Sequence, residues 1–282
     1  MRVLGMSASP RDWGNTEILV QQALAGARRV GAETEFLRLA ELDLRPCRGC
    51  LACVFNDRDC LIEDDYHVVL GAMRRSSAVV LGSPAYVLGA TARIKLLQER
   101  LLRFATRSRE FVDRPGVVVA AAGRPTDVPF TLPQIATTFL SLGMPVVDQF
   151  VGYGQGPGEV LWDEAALRRA ASAGEALGRG ETGFRGDPGT CPSCHFDLID
   201  VGARGEVSCP LCDLPGTWTP DHGFRPRPNA APRWAEERVR SHFEDGMMPS
   251  HDRFREHRAE INARLDALRA AFDQTGATEK ES

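Results

Sequence analysis

Along the first 180 residues, short apolar runs alternate with stretches in which apolar positions recur every three or four residues. Val3, Leu4 and Met6 make a run too brief for a buried helix. It reads as a strand that stops at the polar loop of residues 7–16. Ile18, Leu19, Val20, Ala23, Leu24, Ala27 and Val30 then keep helical spacing until Gly31, a natural stop. Residues 34–39 read as a second strand, and a helix runs through Val68, Val69, Leu70 and Met73 with Asp64 or Asp65 as its cap. Residues 78–81 form a continuous apolar strand, as expected where both faces are covered. A helix through Ile94, Leu97, Leu101 and Phe104, a strand at 116–121, a helix through Ile135, Phe139 and Leu142, a strand at 145–151 and a helix at 163–177 complete the series.

Five strands alternating with five helices predict an α/β fold with a doubly wound, five-stranded parallel sheet covered on both sides. Ligands of such sheets sit beyond the carboxyl ends of the strands, where strand order reverses. The loops at 7–16, 83–86 and 122–124 all leave carboxyl ends, so they should converge on one cleft. Glycine concentrates at 178–189 and marks a linker. A cysteine-bearing segment follows at 187–218, then a proline- and glycine-rich stretch at 215–232 that reads as irregular. The expected organisation is a sheet domain at 1–180, a small metal-ribbon segment at 187–218 and a helical segment at 233–273. In the last, Phe254, Ile261, Leu265, Leu268 and Phe272 form a stripe that suits packing on the body or on a twin subunit. The end, from Gln274, is expected to fray.

The 282 residues, 43% hydrophobic, suffice for a full core with appendages. A net charge of -4 gives no reason to expect nucleic acid or an anionic membrane surface as partner. No secretory leader and no membrane-length apolar run is present, so a cytoplasmic protein is expected. In that compartment eight cysteines point to metal or redox chemistry, not disulfides.

The first loop carries the hydroxyls of Ser9 and Thr16, the amide of Asn15, and Gly14, beside which a ligand can come close to the backbone. The helix that follows aims free N–H groups and its positive dipole end into the loop, a combination that holds a phosphate. With no Gly-Lys-Ser/Thr this is not a triphosphate loop, and the loop does not read Gly-x-Gly-x-x-Gly either. One Arg among hydroxyls, Arg11, suits a terminal monophosphate such as that of FMN. An ordinary strand-to-helix turn capped by Asn15 or Thr16 is the alternative.

Cys47, Cys50, Cys53 and Cys60 follow Cys-x2-Cys-x2-Cys-x6-Cys on one loop. That crowding suits an iron–sulfur cluster better than a single zinc, whose ligands usually come as two knuckles across a longer span. Reduced thiols beside a flavin remain the other reading. Cys191, Cys194, Cys209 and Cys212 do form two knuckles, Cys-x2-Cys-x14-Cys-x2-Cys, and point to tetrahedral metal ligation. Structural zinc fits them; a rubredoxin-like iron fits less closely, since His195 and Asp213 stand where a glycine often follows each knuckle. Around them Asp187, Asp197, Asp200, Glu206 and Asp213 outnumber Arg204, so this ribbon should repel nucleic acid. The histidines read as surface or helix residues, Lys95 and Arg100 as a solvated helix face.

Taken together, Ser9-Pro10-Arg11 with Gly14-Asn15-Thr16, the compact cysteine run, Asp64-Asp65, and Gly82-Ser83-Pro84-Ala85-Tyr86 with Lys95 and Arg100 behind resemble the iron-sulfur flavoproteins of the flavodoxin-like NADPH-dependent FMN reductase superfamily. The resemblance covers residues 1 to about 130. It implies a flavodoxin-like fold with FMN bound non-covalently: Ser9, Arg11, Asn15 and Thr16 on the phosphate, Pro84, Ala85 and Tyr86 along the isoalloxazine with Ser83 in the same cofactor-binding loop, and Gly123 in a third flavin loop. It also implies a four-iron four-sulfur cluster near the flavin and assembly into homo-oligomers. Ala8 departs from the family's common glycine. The expected function is an FMN-dependent oxidoreductase that passes electrons between NAD(P)H or a ferredoxin-like donor and an acceptor, with the cluster relaying single electrons. No residue needs to act as acid or base, because the chemistry belongs to the flavin. The alternatives are a cluster-free FMN or quinone reductase, and a non-catalytic scaffold that docks a partner through its ribbon.

Overall fold

The computed structural model describes residues 1–202 and 205–274, with side chains to residue 271. Arg204, the side chain of Phe272 and residues 275–282 lie outside the described residues, while Gln274, where fraying was expected to begin, closes the last helix. Five parallel strands, β1 (Arg2–Ser7), β2 (Glu33–Arg38), β3 (Ala78–Tyr86), β5 (Gly116–Ala122) and β6 (Val146–Tyr153), form the sheet in the order β2-β1-β3-β5-β6. A two-residue strand, β4 (Gly89–Ala90), folds back antiparallel on the end of β3.

Interior position explains the composition of the strands. β1, β3 and β5 have neighbours on both sides and helices on both faces, and nearly all of their residues are buried. β2 lies at an edge and stays half-buried, with charged residues tolerated. β6 lies at the other edge yet buries Asp148 and Gln149, because a later segment covers it: Gln149 Nε2 donates to the His195 carbonyl at 2.8 Å.

α1 (Asn15–Arg29) and α6 (Glu164–Gly178) cover one face of the sheet. They pack backbone against backbone, since a Cβ at Gly26 would strike the Ala171 carbonyl and one at Gly174 the Ala23 carbonyl. α3 (Tyr66–Arg75), α4 (Ala92–Arg100) and α5 (Thr131–Leu142) cover the other face around Phe104, Phe111 and Phe139.

That second core continues without a break into the ribbon, through Cys191, Cys194, Phe196, Cys209, Cys212, Leu214 and Phe224. The ribbon is a four-stranded antiparallel sheet of β7 (Asp200–Val201), β8 (Val207–Cys209), β9 (Leu214–Thr219) and β10 (Gly223–Pro226). Residues 215–232, expected to be irregular, thus begin with a hairpin. Pro215 and Pro226 both lie in these strands, against proline's usual preference. Pro226 ends an outer strand, where a missing N–H is tolerated, and Gly223 supplies the left-handed turn residue at φ +64°.

Two compact units emerge, Met1–Val239 and a second starting at Arg240. The second holds α8 (Met248–Glu256) and α9 (Arg258–Gln274), with Phe254 and Ile261 beside one groove. Among the described residues no helix is long and apolar enough to cross a membrane.

Candidate functional site

A cleft of about 270 Å³ opens at the carboxyl edge of the sheet, where strand order reverses between β1 and β3. Ser9, Arg11, Gly14, Asn15 and Thr16 line it from the first loop, Pro84, Ala85 and Tyr86 from the end of β3, and Gly123 from the loop after β5. Arg124, from the predicted loop at 122–124, lines it too, and so do Asp127, Gly154 and Gln155, which carry no sequence motif. Gly154 and Gln155 follow β6, so they leave the same edge as the other loops. That placement was the available signal.

The first loop is shaped to receive an acceptor. Gly14 is the N-cap of α1 and no side chain caps the helix, so its first N–H groups face the loop. The Thr16 hydroxyl is buried without a hydrogen-bond partner among the described residues. Such an orphan is costly unless a ligand completes it. A Cβ at Gly14 would come within 3.0 Å of Ser9 Oγ and 3.1 Å of Arg11 Cβ, so the loop is already at its tightest there. Arg11 stands exposed at the mouth, without an ion-pair partner among the described residues.

Two predicted residues serve the frame. The Asn15 amide donates to the Gly154 and Gly156 carbonyls at 2.8 and 3.0 Å, pinning the loop after β6; its side chain is spent there. Ser83 is fully buried and outside the cleft lining: its Oγ accepts from Thr91 N at 3.0 Å, and Thr91 Oγ1 donates to the Ala8 carbonyl at 3.1 Å. These bonds tie the β3 loop to the first loop. Tyr86 is exposed at the start of a tight hairpin whose turn residues, Val87 and Leu88, both take left-handed φ of +49° and +67°. For a β-branched residue this is strained. The turn is held by Phe130 N and Thr131 Oγ1, both donating to the Leu88 carbonyl.

Cys47, Cys50, Cys53 and Cys60 line one small, mainly apolar pocket with Arg100 at its back. Burial, then the neighbouring Cys60, Cys47 and Cys50, pushes the Cys53 thiol up. Here the structure corrects the expectation for Arg100. Lys95 does stand on a solvated face, paired with Glu99, but the Arg100 side chain is 0% exposed. Its guanidinium grips both oxygens of Asp64, donates to the Arg45 carbonyl at 2.9 Å and lies 4.6 Å over the Tyr66 ring. Despite the cost of burial, Asp64 and Cys60 together hold the guanidinium's pKa above its ordinary value. Asp65 sits at the N-cap of α3, but its carboxylate accepts from Asp43 N, while Asp64 accepts from Tyr66 N and Arg45 N. Both acids therefore hold the segment at 43–45 that leads into the cysteine loop.

The ribbon cysteines are arranged differently. All four are buried and their sulfurs lie within 4.8 Å of one another. Cys194 and Cys209 sulfurs are 3.7 Å apart. A tetrahedral ion with bonds of about 2.3 Å sets its thiolates about 3.8 Å apart, so the donor set is that of a single metal ion. His195 is no ligand: it stacks on Phe184 with ring centroids 3.6 Å apart.

The sequence profile of the NADPH-dependent FMN reductase family matches residues 1–158. Over 187 residues the chain is 36% identical to an iron-sulfur flavoprotein of Methanocaldococcus jannaschii, spanning 63% of this chain and 95% of that protein. It is 28% identical over 251 residues to a flavone synthase of Aspergillus candidus, 77% of each chain. A solved flavone reductase covers all of this chain and is itself fully covered, with a TM-score of 0.74 at 20% identity, a likeness of fold.

Proposed function

The chain belongs to the NADPH-dependent FMN reductase family and is a flavin-dependent oxidoreductase, and from that premise we propose that it carries electrons from NAD(P)H or a ferredoxin-like protein to an acceptor, with an iron–sulfur cluster as the one-electron store. The observation that carries this reading is the cleft itself, with an uncapped helix terminus and the partnerless Thr16 hydroxyl at one end and the exposed Tyr86 at the other. Ser9, Arg11, Thr16 and the first N–H groups of α1 would hold the FMN phosphate; Pro84, Ala85, Tyr86 and Gly123 would flank the ring. Asn15 and Ser83 would act through the loops they pin. Bound there, FMN supplies both hydride and single-electron chemistry. The protein's share is to fix the phosphate, orient the ring and leave one face open to donor and acceptor. Nothing in the cleft needs to move a proton.

Cys47, Cys50, Cys53 and Cys60 would hold the cluster. Four thiols on one apolar pocket beside a buried cation fit an anionic cluster. The ribbon would hold zinc as a structural ion. Eight cysteines without a disulfide suit a reducing compartment, which supports a cytoplasmic protein. The exposed Val87, Leu88 and Phe130 beside the cleft favour a second copy of the chain as partner. A scaffold that only docks a partner is the weaker reading, since the family is one of enzymes.

A second reading concerns the acceptor. The match to the flavone synthase runs far past the family region, which favours a planar conjugated acceptor stacked against the flavin. Protein purified without oxygen should be coloured by flavin, and NADPH or reduced ferredoxin should bleach it. Addition of a flavone or a benzoquinone should restore the colour in proportion to product formed. A colourless protein that refuses added FMN would end the proposal; a bleached protein reoxidised by neither the flavone nor the quinone would end the second reading.

A further inference from the structure

Arg100 is a buried, firmly anchored cation whose charge has no role in the cleft. Its side chain is wholly buried, and the pair it makes with Asp64 is also 0% exposed on the acid's side. Burying such a pair is costly and gains little stability over apolar packing. Five contacts orient the guanidinium: both Asp64 oxygens, the Arg45 and Ile62 carbonyls and the Tyr66 ring. One donor is left over. Arg100 Nε is buried and has no hydrogen-bond partner among the described residues. Asp64 is absent from the lining of the four-cysteine pocket, whereas Arg100 is part of it. The pair therefore forms a dipole with its positive end toward the thiols.

We propose that Arg100, fixed by Asp64, is a positioning residue that raises the reduction potential of the cluster carried by Cys47, Cys50, Cys53 and Cys60, through its spare Nε–H and its fixed positive charge. This rests on the cluster reading above. Reduction adds one electron, with no bond made or broken and no proton taken up, so the reduced form carries one more negative charge. A buried guanidinium next to it favours that form over the oxidised one. Arg rather than Lys suits the task, because only the fork can hold a carboxylate with two nitrogens and still offer a third donor.

The test uses the whole protein, purified without oxygen. Two variants are compared with it: Arg100→Lys, which keeps the charge but loses the fork, and the double variant Arg100→Gln with Asp64→Asn, which removes the pair together and leaves no buried charge alone. Iron, acid-labile sulfide and FMN are counted per chain, and the paramagnetic signal is followed during a dithionite titration with redox mediators. With iron and FMN at wild-type content, the double variant should be at least tenfold harder to reduce, a shift of about 59 mV or more to lower potential for a one-electron couple. Arg100→Lys should fall between the two. Full iron content with an unchanged midpoint in the double variant would overturn the proposal alone. Loss of iron from both variants while FMN is kept would make the pair a mere brace for the loop, and overturns it too. Absence of iron and sulfide from the wild-type protein would overturn the cluster reading and this inference together, while the FMN count still stands as a separate result.

Discussion

The two sets of four cysteines have opposite surroundings, and the contrast suits them to different work. The ribbon set is fully buried, closes to the spacing of one ion and is continuous with the core that packs under α5 and β6. The loop set keeps three half-buried cysteines and one exposed, around a pocket backed by Arg100. A buried, closed tetrad holds structure; a partly open one against a fixed cation suits electron exchange with outside.

The largest expected effect comes from breaking the ribbon. Cys212→Ser should release the metal and cost about 3 kcal/mol or more, since the ribbon's Phe196, Leu214 and Phe224 share the main core. For a chain of this size that lowers Tm by about 6–12 °C. Calorimetry on the variant checks it, and a Tm within 2 °C of wild type would make the two tetrads alike. Cys50→Ser, on the exposed member of the loop set, should empty that pocket of iron and sulfide while Tm moves by roughly 2 °C at most and FMN stays bound.

Thr16→Val keeps the shape and removes the unpartnered hydroxyl. It should weaken FMN about tenfold, about 1.4 kcal/mol, in a fluorescence titration, without change in either metal content. Acid separates the regions more gently. Burial works against ionisation of Asp64, but Arg100 and the N–H groups of Arg45 and Tyr66 hold its pKa below the usual 3.8. A depressed pKa gives stability that is complete above the ordinary value and lost as pH falls through the lower, folded one. The Arg100–Asp64 pair should therefore survive to below pH about 3.8, whereas protons displace the ribbon's metal from its thiolates at higher pH. Metal release and tyrosine fluorescence followed during one acid titration would order the two events. Lys95→Ala, on the solvated face of the same helix as Arg100, should shift Tm by less than about 1 °C.

Much of the fold could be read from the apolar rhythm, because β1, β3 and β5 are interior strands whose continuous hydrophobic runs admit few other placements. The cleft followed from the rule that loops leave one edge, and Ser9, Thr16 and Tyr86 lie where that rule puts them. What escaped depends on contacts far apart in the chain. Arg100 flanks the apolar stripe of Ile94 and Leu97 on α4 and Leu101 just after it, and nothing near it announces Asp64, 36 residues away. Asn15 looks like a ligand or cap until the loop at Gly154 and Gly156 is seen to take its amide. Pro215 and Pro226 hid the β9–β10 hairpin, since proline argues against a strand unless the strand's position in its sheet is known.

Intact-mass measurement of the anaerobically purified protein under native conditions tests the account most directly. The predicted species is the chain plus one FMN, one four-iron four-sulfur cluster and one zinc, with the cluster mass lost in Cys50→Ser and the zinc mass lost in Cys212→Ser. A chain without flavin, or one carrying a lone ion in each tetrad, would contradict it.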